Sequence, residues 1–225
     1  MTAPRSWAVA HPEGTAAEFH GRSLPEPATR QVWVHRVLAP ALVLGSTQPD
    51  DVVDRAAAAR AGVEVVRRRS GGGAVLVEPG GVVWVDVVVP ADDPLWDHDV
   101  GRAFTWVGET WAAALAAAGV PGAGVHRGGL VSTPWSTLVC FGGLGPGEVT
   151  VGGAKVVGLA QRRTRAAAWF QGAALLRWAP GELLALLDLA PEARARGAAD
   201  LAGRAAPLDV GADALVEAFL SSLPS

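Results

Sequence analysis

The sequence predicts an α+β fold built on a mixed or antiparallel sheet. Two observations lead there. The elements run strands, helix, strands, helix, strands, helices, and not in the strict alternation of a doubly wound parallel sheet. Half of the 225 residues are hydrophobic and 18% are charged, so there is ample apolar material for one core.

Each element has its own warrant. Residues 1–30 carry Pro, Gly and His with little periodicity and read as an irregular segment, with a short helix around Thr15–His20. QVWVHRVL from Gln31 alternates as a strand, and ALVLGS from Ala41 is a second, short and buried one. DDVVDRAAAARAG opens with acids in its first turn and closes at Gly62, as a helix does. VEVVRR is a strand. RSGGGA follows, then AVLV and GVVWVDVVVP, two strand-like runs about the turn EPGG. A long Ala-rich helix is expected from about His98 to Ala118, and residues 121–136 form a Gly/Pro/Ser-rich connection. STLVCF, GEVTV and AKVVGLAQRR read as three short strands and AAAWFQGAALL as a fourth. Beyond Pro180, GELLALLDL and DALVEAFLSSL are helical.

Composition excludes several classes. A formal charge of −3 argues against a nucleic-acid footprint. One cysteine excludes an internal disulfide framework. No apolar run reaches the roughly 18–20 residues of a membrane span. The opening MTAPRSWAVAHPEG lacks the pattern of a secretory signal. A cytoplasmic protein with no nucleic-acid or membrane partner is the expectation.

One compositional fact is sharper. Of the 19 basic residues, Lys155 alone is lysine, and there is no Tyr. Drift that replaces Lys by Arg wherever charge suffices leaves a Lys where a compact ammonium is needed. The alternative is a surface Lys spared by chance.

Two constellations carry candidate chemistry. The first is Arg67-Arg68-Arg69-Ser70-Gly71-Gly72-Gly73-Ala74. Three glycines let backbone approach a ligand closely, and their N–H groups beside guanidiniums can cradle a phosphate or a polarised carbonyl. The plain reading is a wide turn with solvated arginines. The second runs from Cys140 through Val151-Gly152-Gly153-Ala154-Lys155 to Gly158 and Gln161. A hairpin about Gly152-Gly153 brings Lys155 out just past the turn, and a cation near Cys140 favours its thiolate. The alternative for Cys140 is a buried small hydrophobe. Nothing points to a metal site, and Asp86 and the tryptophans read as structural.

In this order the two constellations resemble the lipoate-protein ligase and octanoyltransferase superfamily, which also holds the biotin-protein ligases. Leu44-Gly45-Ser46-Thr47-Gln48 is similar to its strand and Gly-x-x-Gln turn. RRRSGGGAV (Arg67 to Val75) resembles its Arg-Arg-x-Ser-Gly-Gly-Gly-Ala-Val loop, and GAKVVGLAQ (Gly153 to Gln161) its lysine segment. The likeness covers roughly residues 30 to 176. It implies a single α+β catalytic domain over 31–225, with a mixed or antiparallel sheet flanked by helices. It implies attachment of a lipoyl or octanoyl chain to a lysine of a lipoyl-carrier domain. Lys155 then holds the acyl carbonyl or the activated carboxyl, and Arg68, Arg69, Ser70, Gly71, Gly72, Gly73, Ala74, Gly158 and Gln161 are expected to bind substrate.

Within the superfamily, Cys140-Phe141 sits where the cysteine-dependent transferases carry their nucleophile, and GLAQRRTR is similar to the amidotransferase branch. SGGGAV is the ligase-like form of the loop. After it, Val77-Glu78-Pro79-Gly80-Gly81-Val82-Val83 has neither the His nor the Asn residues that ligases carry. About 70 residues follow Lys155, too few for a ligase accessory domain. Gln171 stands where transferases often have His, and His126 is the nearest His in sequence to Cys140. The expected mechanism is transfer through an acyl-Cys140 with no cofactor, the donor being an acyl carrier protein or a lipoyl protein. The expected acceptors are lipoyl-domain proteins of the glycine-cleavage H or 2-oxoacid dehydrogenase E2 type. The alternatives are ATP- and Mg-dependent ligation through an acyl-adenylate, and a catalytically decayed acyl-binding module.

Overall fold

The computed structural model describes residues 6–225; the first five residues of the opening segment lie outside it. The strands are β1 (Ala8–Ala10), β2 (Glu13–Gly14), β3 (Gln31–Val37), β4 (Ala41–Leu44), β5 (Glu64–Arg67), β6 (Val75–Val77), β7 (Val82–Pro90), β8 (Ala123–Val125), β9 (Val149–Val151), β10 (Ala154–Arg163) and β11 (Ala167–Leu175). The helices are α1 (Ala16–Gly21), α2 (Arg55–Arg60), α3 (Phe104–Ala117), α4 (Pro180–Ala185), α5 (Pro191–Ala202) and α6 (Ala212–Ser221).

Two sheets form. The larger runs β1-β3-β7-β11-β10-β9-β8, with β2 also on β3; the smaller runs β5-β4-β6. Pairing is antiparallel except for β1 and β2 on β3 and β4 on β5, so both sheets are mixed. This is the α+β class that the order of elements predicts.

Alternation along β7 and β11 divides the interior. Val83, Val85, Val87, Phe170 and Ala174 face α3 and α6, where Trp111, Leu115, Leu215 and Phe219 meet them. Burying each large side chain of this set stabilises the fold by about 1.5–3 kcal/mol. The opposite face presents Trp84, Asp86, Gln171 and Ala173. Trp84 there packs with Val43, Val66 and Val77 of the small sheet and Phe19 of α1. Asp86 is fully buried; it accepts from Trp84 Nε1 at 2.7 Å and pairs with His35 Nε2 at 2.9 Å, which fits a structural role.

Several expectations need correction. STLVCF is not a strand. Pro134 and Gly142-Gly143 turn the chain on either side of it, which leaves one parallel bridge between Ala74 and Val139 and a 3₁₀ turn over Cys140–Gly142. Cys140 therefore opens a tight turn and does not end a strand. The Ala-rich helix begins at Phe104, because Asp97 and Asp99 hold the preceding residues in a loop through backbone bonds to Asp99 N and Arg102 N. The opening stretch holds β1 and β2 beside the expected short helix, which Thr15 and Glu18 close with a reciprocal capping box. β8 lies within the Gly/Pro-rich connection, and α5 fills the gap between the two expected tail helices. Among the described residues, no helix is long and apolar enough to cross a membrane.

Candidate active site

The site forms where the triple-glycine loop, the Cys140 turn and the β9–β10 hairpin meet. Each is held there by side chains that bond backbone. Arg68 is buried, and its guanidinium donates to Val43 O at 3.2 Å, Gly71 O at 2.7 Å and Gly73 O at 2.9 Å. Arg67 donates to Gly45 O at 2.8 Å and Gln48 O at 2.5 Å and pairs with Asp50 at 2.6 Å. Gln48 accepts from Gly45 N at 2.9 Å and donates to Thr137 O at 3.0 Å, tying its turn to the chain that leads into Cys140. These arginines and this glutamine therefore shape the loop walls, and a ligand would find their polar groups committed.

Close approach explains two of the glycines. A Cβ on Gly45 would lie 1.9 Å from Gly72 O, and one on Gly73 would lie 2.6 Å from Val139 N and C. Gly72 itself has φ +97, a left-handed conformation that favours glycine. Ala74 is fully buried; its N–H donates to Leu138 O at 2.8 Å and its carbonyl accepts from Cys140 N at 3.0 Å. Gly73→Ala is expected to destabilise the protein by about 1–3 kcal/mol through overpacking. Thermal melts followed by circular dichroism check this; an unchanged midpoint would show that the Val139 backbone yields freely.

The hairpin forms as the sequence implies. Gly152 and Gly153 have φ +59 and +85, the conformation of a tight two-residue hairpin turn, and Lys155 lies opposite Thr150. Lys155 is 3% exposed. Its Nζ is 2.7 Å from Glu148 Oε2, 3.1 Å from Cys140 O and 3.2 Å from Gly143 O, and it stands over the Phe141 ring at 4.8 Å. The only Cys and the only Lys are thus brought together.

Cys140 lies between two hollows. On one side is an open cleft of about 810 Å³, lined by Gly71, Gly72 and Gly73, Lys155, Glu148 and Gln161. On the other is a narrow, almost wholly apolar pocket between the two sheets. Val43, Val75, Val77 and Trp84 wall it, and it is hollow because the facing strands carry Gly158, Ala160 and Ala173. A Cβ on Gly158 would meet Phe141 Cζ at 3.0 Å and Lys155 Cε at 3.3 Å, so this glycine also admits both neighbours.

The other expected site residues fall into place unevenly. Ser70 is buried and its Oγ bonds Gln171 Oε1 at 3.2 Å. Gln161 faces the cleft with both side-chain amide atoms buried and unpartnered. Arg69 is exposed and lines neither hollow. Burial first, and then the Arg69 charge, pull Arg162 below the usual arginine range, and Arg162 lines neither hollow. His126 lines neither hollow either; its Nε2 is bonded to Gly129 O at 2.8 Å.

Sequence reasoning missed Glu148, His20 and the pocket role of Trp84. Glu148 was accessible from register: if Lys155 faces Thr150, a residue two before Thr150 shares that face and lies diagonal to the lysine. His20 carried no signal, since it reaches the pocket across 151 residues to bond Gln171 Nε2 at 3.2 Å. Burial dominates its titration and lowers it from 6.5 to about 4, with Asp86 opposing and Arg68 and His35 assisting. Its folded value lies below its unfolded one, so its contribution is present above pH 6.5 and is lost as pH falls toward 4, at most roughly 3 kcal/mol. His20→Leu is expected to flatten the fall of the melting temperature across that window. An equally steep fall in the variant would remove His20 from the account.

Residues 18–219 match the family described as the lipoyl protein ligase A/B catalytic domain. The octanoyltransferase LipM of Clostridioides difficile (strain 630) is 28% identical over 101 residues, 45% of this chain and 36% of that relative. The chain thus matches little more than a third of that relative's length. Among solved structures, the bi-partite lipoate protein ligase of Thermoplasma acidophilum, studied with its E2 lipoyl domain, superposes with a TM-score of 0.73 at 19% identity. It covers 97% of this chain and 82% of that one. Lipoate-protein ligase A bound with ATP superposes with a TM-score of 0.71 at 21% identity, over 98% and 84%. These two likenesses are of fold. The family match spans nearly the whole described chain, and on that ground the protein belongs to the lipoyl protein ligase A/B catalytic domain family.

Proposed function

We propose that the protein attaches a lipoyl or octanoyl group to a lysine of lipoyl-carrier domains by cysteine-dependent acyl transfer. The observation that carries this reading is the position of Cys140, on the wall shared by an open cleft and an apolar pocket, with the Lys155 ammonium 3.1 Å from its own carbonyl. An acyl thioester entering from the cleft lays its aliphatic chain in the pocket beside Gly158, Ala160 and Ala173. The Cys140 thiolate attacks the carbonyl, the bond from the carbonyl carbon to the donor sulfur breaks, the donor leaves as thiolate, and an acyl-cysteine remains. The neutral amine of the target lysine then attacks that thioester, and Cys140 leaves as thiolate. N–H groups of Gly71–Gly73 and the Lys155 charge stabilise the oxyanion in both steps, and Gln161 offers an unpaired amide to the substrate arm. We place the reaction in the cytoplasm, where a lone thiol stays reduced. The donor is an acyl carrier protein thioester, or a lipoyl protein whose acyl group is an amide, in which case the C–N bond breaks and the donor lysine leaves as an amine that takes a proton from solvent in the open cleft; the acceptor is a lipoyl domain of the glycine-cleavage H or E2 type.

One observation favours a second reading. The Arg69 charge reaches Arg162, no carboxylate is paired to either among the described residues, and two such cations suit a phosphate. In ATP-dependent ligation these two, and not the committed Arg67 and Arg68, would hold the nucleotide. Intact-mass measurement decides between the readings. With an octanoyl thioester and no ATP, transfer predicts one octanoyl group on Cys140. Modification of a lipoyl domain only with free lipoate and ATP, undiminished in Cys140→Ala, would replace transfer by ligation. Acyl binding without any turnover would make the chain a binding module.

A further inference from the structure

Glu148 ends the glycine-rich stretch between Cys140 and the lysine hairpin, and it is a cleft carboxylate held by three partners. Its Oε2 meets Lys155 Nζ at 2.7 Å and accepts from Gly145 N at 2.7 Å, and its Oε1 accepts from Leu159 N at 3.1 Å. The two side chains are 6% and 3% exposed. An ammonium has three N–H groups, and Glu148, Cys140 O and Gly143 O take all three. No N–H remains for a substrate oxygen until one of these bonds opens.

The three bonds differ in strength. The ion pair is buried, short and braced by two backbone donors, so breaking it would leave a buried charge uncompensated. The two carbonyl bonds are longer and neutral on the accepting side. An acyl oxygen gaining negative charge can displace a carbonyl but not the carboxylate.

We propose that Glu148 is the positioning residue of the transfer step, a fixed pivot about which the Lys155 ammonium exchanges the carbonyl of Cys140 or Gly143 for the developing oxyanion. This rests on the transfer reading. It gives Glu148 two consequences. It keeps the lysine beside the thiol-bearing turn, and its negative charge offsets part of the field that the ammonium exerts on Cys140. The other charged or titratable groups facing that thiol are Arg68 from the triple-glycine loop and His20 from α1 across the apolar pocket. Neither contacts Glu148, and both are unchanged by substituting it.

The test combines two readouts on the full chain. The first is the pH midpoint of Cys140 alkylation by iodoacetamide, which needs no acyl chemistry. Glu148→Gln leaves the ammonium uncompensated and is expected to lower the midpoint by about one pH unit, whereas Lys155→Met raises it by a similar amount. The second is steady-state transfer of octanoyl from an octanoyl thioester to a lipoyl domain. Glu148→Gln is expected to lower kcat at least 30-fold with KM little changed, and Glu148→Asp to recover part of that loss. Midpoints that move in the same direction in the two variants, or a Glu148→Gln enzyme with wild-type kcat, would overturn the proposal. If Glu148→Gln does not fold, the double variant Glu148→Met with Lys155→Met replaces the pair by apolar groups. Its midpoint should return to near the wild-type value, and a midpoint that stays at the Lys155→Met value counts against the pivot. Failure of wild-type Cys140 to take up an octanoyl group sinks the transfer reading, and the pivot in catalysis with it. Wild-type acylation with no effect of Glu148→Gln sinks the pivot alone.

Discussion

Cys140→Ala protein, exposed to an octanoyl thioester, should gain no mass, and its transfer to a lipoyl domain should fall on the order of 10³-fold or more. The loss should be confined to chemistry. Cys140 is a half-buried residue whose N–H and carbonyl bond Ala74 O and Lys155 Nζ through the backbone, and alanine keeps both bonds. The melting temperature is therefore expected to stay within a few degrees of wild type. That contrast separates a nucleophile from a packing residue. Undiminished transfer in the alanine variant would remove Cys140 from the chemistry and leave the thiol as a small hydrophobe between two hollows.

Ala173→Leu should abolish octanoyl transfer, by about 100-fold or more, without unfolding the protein. Ala173 lies on β11 between Gly158 of β10 and Trp84 of β7, in one row across the large sheet. Two strand spacings, about 10 Å, separate β10 from β7. Seven C–C bonds of about 1.5 Å project to a similar length in a zigzag chain, so an octanoyl tail spans that row. A leucine at its midpoint occupies the volume of the tail and contributes apolar contact where the wild type is hollow. The melting temperature should hold or rise while transfer is lost. Transfer of a shorter acyl group, kept at a larger fraction than octanoyl, would place the block inside the chain path. Full octanoyl activity in the variant would show that the tail lies elsewhere.

How far the site was legible in the sequence depended on distance along the chain. The lone lysine, the glycine pair that turns its hairpin and the cysteine ahead of it lie within fifteen residues, and local rules placed them together. The triple-glycine loop announced close approach, and Gly73 against Val139 is that approach. The roles of Arg67 and Arg68 were not legible. A guanidinium beside a glycine loop looks the same in sequence whether it meets a ligand or the loop's own carbonyls, and here it meets Gly45, Gln48, Gly71 and Gly73. Cys140 was expected at a strand end because STLVCF has strand composition. Only a single bridge to Ala74 forms, since Pro134 and Gly142-Gly143 bend the chain too soon for a ladder. The class of fold followed from the order of elements, whereas the pairing of β1 and β2 with β3 depends on contacts that periodicity cannot express. His20 joins the pocket from the far end of the chain, and no local pattern could have foretold it.

The scarcity of lysine has a chemical consequence of its own. On the proposed transfer reading, a catalyst that carries an acyl thioester and hands it to ε-amines would, with an ordinary lysine content, be surrounded by such amines on its own surface. This chain offers one, and it is 3% exposed and hydrogen-bonded to a carboxylate and two carbonyls. Guanidiniums hold their proton and do not acylate at neutral pH. Under the proposed transfer, the exterior side chains of the described residues would then offer no amine to compete with the target lysine.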